Sequence, residues 1–106
     1  MTAEPLMIES LLYKKAALHY RAINNPLRQV ILRTIHKNNR MSVTPIYRLL
    51  KLDQSVASQH LAVLRRADLV SAERDGKFIF YSVNYKRLEQ LHALAEELLA
   101  TKQEKL

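Results

Sequence analysis

The sequence predicts a mainly helical single domain, with five helices and one β-hairpin set before the last helix. Three observations carry this. One glycine and three prolines in 106 residues leave few places to turn. Apolar residues recur at helical spacing over most of the chain, with capping residues or prolines at the joins. The exception is the β-branched and aromatic stretch from Leu69 to Val83, interrupted by Asp75-Gly76. The length is that of one ordinary domain and excludes a multi-domain enzyme.

The first helix is expected from about Pro5 to Tyr20. Its apolar residues (Leu6, Met7, Ile8, Leu11, Leu12, Tyr13, Ala16, Ala17, Leu18, Tyr20) spread nearly all round the axis. Such a helix is buried on more than one side, and in so small a domain part of that burial implies a second subunit. Asn25-Pro26 opens a second helix, as a capping residue followed by proline at the first helical position. Leu27, Val30, Ile31 and Ile35 continue it until Lys37-Asn38-Asn39. Ser42 or Thr44, with Pro45, starts a short third helix through Ile46, Leu49 and Leu50. Only Lys51-Leu52 then precedes Asp53, whose carboxylate is expected to cap the fourth helix and suit its dipole.

The fourth helix, about Gln54 to Ala67, is the most informative segment. At 100° per residue, Val56, Ala57, His60, Leu61, Val63, Leu64 and Ala67 share one arc. Gln54, Ser55, Ser58, Gln59, Ala62, Arg65 and Arg66 share the other. An ordinary solvated face carries Glu and Lys in i,i+4 pairs. Short uncharged donors and acceptors followed by two arginines suit base edges and phosphates instead. His60 lies within the apolar arc, so a satisfied boundary histidine, bonded to backbone or to phosphate, is expected rather than direct base readout.

Asp75-Gly76 is expected as the two-residue turn of a hairpin, with Arg74 and Lys77 flanking its tip and Phe78, Phe80 and Tyr81 in its core. The last helix, about Tyr85 to Lys102, carries a narrow seam of Leu88, Leu91, Ala95 and Leu98.

Charge sharpens the reading. The net charge is +7, and residues 33–77 hold nine basic against four acidic side chains, while residues 78–106 hold four of each. A localised basic face points to a polyanionic partner. Two helices joined by a very short turn, the second polar at its N-terminal end, form a helix-turn-helix (residues 44–67). The basic hairpin after it (residues 69–83) is a wing. Residues 5–20 and 85–102 are the dimerisation helices of the single domain 1–106. A two-fold dimer reads two half-sites about one DNA turn apart.

Three segments resemble the ArsR/SmtB winged helix-turn-helix regulators. They are Arg21-Ala22-Ile23-Asn24-Asn25-Pro26-Leu27-Arg28-Gln29-Val30-Ile31-Leu32, then Ser55 through Val70, then Arg74-Asp75-Gly76-Lys77 with Tyr81. The resemblance covers residues 19–99. It implies a dimeric, usually repressing, operator-binding regulator with the fourth helix in the major groove. Members of the family commonly have Gly where Asp68 stands, a position that ends this helix and often needs a left-handed residue.

Many such regulators sense metals, and the ligands are missing here. The chain has no cysteine, so thiolate metal sites, disulfides and persulfide sensing are excluded. The last-helix ligand positions fall on Tyr85, Arg87, Leu98 and Thr101, none of them suitable. His19, His36, His60 and His92 are scattered, and only a His19/His92 site across the dimer stays open. No cofactor is expected.

The functional expectation is a sequence-specific double-stranded DNA-binding regulator, cytoplasmic and without a membrane segment or signal peptide. Gln54, Ser55, Ser58 and Gln59 are expected to read bases. Arg48, His60, Arg65, Arg66, Arg74 and Lys77 are expected on the DNA backbone or in the wing. An unidentified effector would sit between the first and last helices, near Tyr13, Tyr20 and His92. The alternatives are a non-specific architectural DNA-binding protein, or a protein-interaction module on the same scaffold. No catalytic set of side chains can be assembled, so an enzyme is not expected.

Overall fold

In the computed structural model, residues 6–103 are described, with side chains to residue 100. Five helices and a two-stranded antiparallel sheet follow in the order α1 (Ser10–Ile23), α2 (Pro26–Asn38), α3 (Val43–Leu49), α4 (Gln54–Arg66), β1 (Val70–Asp75), β2 (Phe78–Val83) and α5 (Tyr85–Gln103).

The core is the meeting of α2, α3, α4 and β1. Ile31 and Ile35, Ile46, Leu61 and Leu64, and Leu69 and Val70 are all at or below 1% exposure. These are the positions that 3.6-residue periodicity selects on each helix. Thr34, the one buried polar residue among those described, donates its hydroxyl to Val30 O at 2.8 Å. No buried polar side-chain atom among the described residues lacks a partner, as expected where an unmet donor or acceptor is costly.

Helix α1 departs from its expected limits. It begins at Ser10 and continues to Ile23, whereas the expected start at Pro5 lies outside the described residues. Leu6, Met7 and Ile8 precede the helix and are 80%, 85% and 61% exposed. Little of their surface is buried, and packing of an apolar face is what usually sustains a terminal turn. The helix is anchored at its other end, where Ala22 is buried.

With a single glycine, three other residues adopt positive φ: Asn39 (67°), Lys51 (56°) and Asp68 (60°). Two of them close helices in the same manner. After α3, Lys51 N–H donates to Arg48 O (3.3 Å) and Leu52 N–H to Tyr47 O (2.8 Å). After α4, Asp68 N–H donates to Arg65 O and Leu69 N–H to Leu64 O, both at 2.9 Å. These paired bonds are Schellman ends, and the second is sealed by packing of Leu69 with Leu64 in the core. Asp68 thus takes the left-handed conformation expected where the family has Gly. Its carboxylate also pairs with Arg87 at 3.3 Å.

Three local expectations are corrected. Asp53 stands at the N-cap of α4, but its carboxylate makes no capping bond, and being exposed it acts only on the helix dipole. The hairpin turn is Gly76-Lys77, not Asp75-Gly76, because Asp75 pairs with Phe78. This register sets Val70 opposite Val83 at the buried end. The expected register would have set Arg74 directly opposite Lys77, and like charges repel there. Only Gly76 has positive φ (65°), the requirement of a type II′ turn. Phe78 is not hairpin core but half exposed at the tip, whereas Tyr81 packs on the core. Tyr81 also exchanges backbone bonds with Met41 (3.0 and 2.8 Å), a single β-bridge that joins the wing to the segment before α3.

The strain of an L side chain at positive φ is removable where that side chain does nothing else. Lys51→Gly is expected to raise stability by about 0.5–1 kcal/mol, a few degrees in a thermal melt. Asp68→Gly should gain less in the same melt, since it gives up the pair with Arg87.

Candidate nucleic-acid interface

Helix α4 is two-faced, as its periodicity predicts. Ala57, Leu61 and Leu64 are fully buried, Val56, His60 and Val63 are intermediate, and Gln54, Ser55, Ser58, Gln59, Arg65 and Arg66 are exposed. Ser58, Ala62, Arg65 and Arg66 line a shallow groove whose far wall is Tyr81 of β2. The structure therefore gathers Gln54, Ser55, Ser58, Gln59, Arg65 and Arg66 on one helix face. Arg48 is exposed in the last turn of α3, and Arg74 and Lys77 are exposed at the wing tip.

The orientation of α4 is fixed at its C-terminal end and midway along it by side chains from other elements. At its C-terminal end two carbonyls that no helical N–H can reach are taken. His19 of α1 donates from Nδ1 to Ala67 O at 2.7 Å, and Asn84 donates from Nδ2 to Asp68 O at 2.9 Å. Asn84 also accepts from Arg87 N–H through Oδ1 at 3.2 Å, so the residue that caps α5 clips it to the end of α4.

Midway along α4, His60 meets Arg28. The Arg28 side chain reaches three acceptors: Nε donates to Ala22 O (2.7 Å), Nη2 to Arg21 O (2.9 Å) and Nη1 to His60 Nδ1 (3.2 Å). A guanidinium can only donate, so Nδ1 accepts and the neutral ring carries its proton on Nε2. Burial, and then the positive charge of Arg28, hold the His60 pKa below the ordinary histidine value.

The wing has an electrostatic partner that the sequence reading missed. Arg40, in the segment after α2, pairs with Asp75 (3.1 Å) and Glu73 (3.9 Å), and its guanidinium lies 4.2 Å from the centroid of the Phe80 ring. It therefore partly neutralises both wing carboxylates, which stay exposed, beside the charges of Arg74 and Lys77. Lys77 itself lies over Phe78, 5.6 Å from the ring centroid. The acidic residues bracketing Arg74 in sequence were the available signal for such a partner.

Between α1 and α5 lies an apolar cleft of 560 Å³ lined by Tyr20, Ile23, Leu88, Leu91, His92 and Ala95, with Glu89 at its edge. Tyr20 donates its hydroxyl to Leu91 O at 3.1 Å across it. Tyr13 is not part of the lining and bonds Met7 O instead. His92 faces Glu96 at 3.4 Å, and among the described residues no group of three metal-ligating side chains converges. No helix among them is long and apolar enough to cross a membrane.

Comparison with known proteins agrees with this geometry. Residues 23–71 match the model of a helix-turn-helix domain family. The chain is 35% identical over 86 residues to an HTH-type transcriptional regulator of Methanocaldococcus jannaschii, covering 81% of this chain and 97% of that one. The crystal structure of the transcriptional repressor PagR of Bacillus anthracis superposes with a TM-score of 0.65 at 31% identity, over 82% of this chain and 99% of PagR. The homodimeric winged helix-turn-helix DNA-binding domain of Mycobacterium bovis shares the fold, with a TM-score of 0.72 over 93% of this chain and 91% of its own, at 23% identity. The family match spans α2 through α4 to the start of β1, and the chain belongs to the ArsR/SmtB-type winged helix-turn-helix transcriptional regulators.

Proposed function

We propose that the chain binds an imperfect inverted repeat of double-stranded DNA as a homodimer, represses transcription there, and does so in the cytoplasm. The observation that carries this reading is the exposed face of α4, where four uncharged hydrogen-bonding side chains precede two arginines while the opposite face is core. Gln54, Ser55, Ser58 and Gln59 read base edges in the major groove. Arg48, Arg65 and Arg66 contact flanking phosphates, with His60 supplying one ring N–H beside them. Arg74 and Lys77 carry the wing to the adjacent backbone or minor groove.

Dimerisation is supported by apolar surface that one protomer leaves open. On α1, Leu11, Leu12 and Tyr13 are 63%, 58% and 54% exposed, and on α5 Leu94, Leu98 and Leu99 are 51%, 73% and 55% exposed. The seam on α5 is thus satisfied within the protomer at Leu91 and open at Leu98, as expected of helices that pack on a second copy. Repression is supported by the likeness to PagR, a transcriptional repressor.

Selection of bound duplexes from a random pool tests the reading directly. An inverted repeat should emerge, and a reporter behind it should fall when the protein is expressed. Equal affinity for all duplexes would favour an architectural binder, and a rising reporter would overturn repression. Ser58→Ala and Gln59→Ala should each remove about 1–3 kcal/mol of discrimination between the selected site and random DNA. Arg74→Ala and Lys77→Ala should instead weaken all duplexes alike and lower the salt slope by about one each.

Arg40→Ala is expected to lower affinity for every duplex by about threefold to tenfold, since it removes a cation that partly neutralises Glu73 and Asp75. Adding Glu73→Gln and Asp75→Asn in that background should restore part of the loss in the same titration.

A further inference from the structure

We propose that Arg28 and His60 form a proton-sensitive latch that holds α4 in its DNA-reading orientation, and that protonation of His60 at Nδ1 releases it. The proposal rests on the reading of α4 as the base-contacting helix. His60 is followed on the buried arc by Leu61 and Leu64, while its neighbours Ser58 and Gln59 stand on the exposed face. A bond made at His60 therefore sets the rotation of that face about the helix axis.

The other end of the bond is rigidly placed. Arg28 lies in the first turn of α2, where its backbone N–H is held by Asn25 Oδ1 at 2.9 Å. Its side chain is held by the carbonyls of Ala22 and Arg21 at the end of α1. One guanidinium thus joins the ends of α1 and α2 to the middle of α4. Because Nη1 can only donate, the bond exists only while Nδ1 is unprotonated. A proton on Nδ1 replaces a hydrogen bond with two facing N–H groups and two like charges.

Among the described residues no carboxylate bonds His60 to offset that repulsion. From α2 the charged group on His60 is Arg28, and from α1 Arg21 contributes its carbonyl to Arg28 rather than a charge to the ring. The other elements packed on α4 are α3 and β1, and among the described residues neither places a hydrogen-bonded or ion-paired group on His60. Burial and Arg28 lower the His60 pKa, so folding favours the neutral ring. The latch is fully made above the ordinary histidine value of 6.5 and is lost as pH falls through the lowered one.

The test compares the wild type with His60→Asn, whose amide oxygen can accept from Arg28 without titrating, and with His60→Ala. Affinity for the selected duplex is measured at pH 8 and pH 5.5, with circular dichroism confirming the fold at both. His60→Ala should bind several-fold more weakly at pH 8, and His60→Asn should recover part of that affinity, since its amide oxygen remakes the bond to Arg28 but does not replace the ring N–H at Nε2. On acidification the wild type should lose about twofold to fourfold more affinity than His60→Asn, because a pKa below the ordinary value leaves the ring only partly protonated at pH 5.5. Equal losses in the two proteins would overturn the latch. So would a gain in wild-type affinity absent from His60→Asn, which would make the charged ring a phosphate contact. In the free protein, NMR should show the amides of α4 shifting as the His60 ring titrates, and not in His60→Asn. Should no duplex be preferred at pH 8, the base-reading function fails and this NMR titration alone decides the latch, which unmoved α4 amides would sink.

Discussion

The end of α4 is the point on which the rest of the structure depends. Within three residues the chain stops a helix, reverses through left-handed backbone at Asp68, buries Leu69 and enters β1. A helix end exposes carbonyls that need donors, and here α1 and α5 supply them through His19 and Asn84. The outer helices are thereby tied to α4 by directional bonds, not only by apolar contact. Any movement of α1 against α5 is felt at Ala67 and Asp68, because the donors at these two carbonyls belong to different outer elements.

A family that commonly uses glycine at this position would avoid the strain of a side chain there. This chain instead accepts the conformation with Asp68 and uses its carboxylate to hold Arg87. Such an exposed pair contributes little by itself. Its value lies in orientation, since Arg87 is also the residue whose N–H is capped by Asn84. Strain at one backbone position and three side-chain bonds around it describe one junction.

Helices were legible in the sequence because burial imposes a period that neighbouring residues share. The two faces of α4 and the Asn25-Pro26 start follow from residues within one or two turns, while the left-handed need at Asp68 comes from the resemblance to a family that has Gly there. What was not legible depends on partners far along the chain. Arg28 meets His60 across 32 positions, and His19 meets Ala67 across 48, and no local pattern announces either. The hairpin shows a local signal losing to a distant one: Asp75-Gly76 is a good turn, but burial of Val70 against Val83 moves the turn by one residue. For the interface, residue types placed the polar face and the wing charges, while Arg40 lay hidden in the segment between α2 and α3. The helix-capping role of Asn84 was readable in principle, as an Asn immediately before a helical run.

The two backbone bonds between Met41 and Tyr81 have a mechanical consequence. A hairpin attached only through its strand ends would swing, and its tip could settle wherever the phosphate chain happened to lie. Stitched to the segment that leads into α3, the wing is braced against the same body that carries α4. If α4 and the wing both contact DNA as proposed, the protein would meet the double helix as a caliper of fixed span. The distance between groove and neighbouring strand would then be measured rather than adapted to, and the pitch and groove width of a binding site would be part of what is recognised.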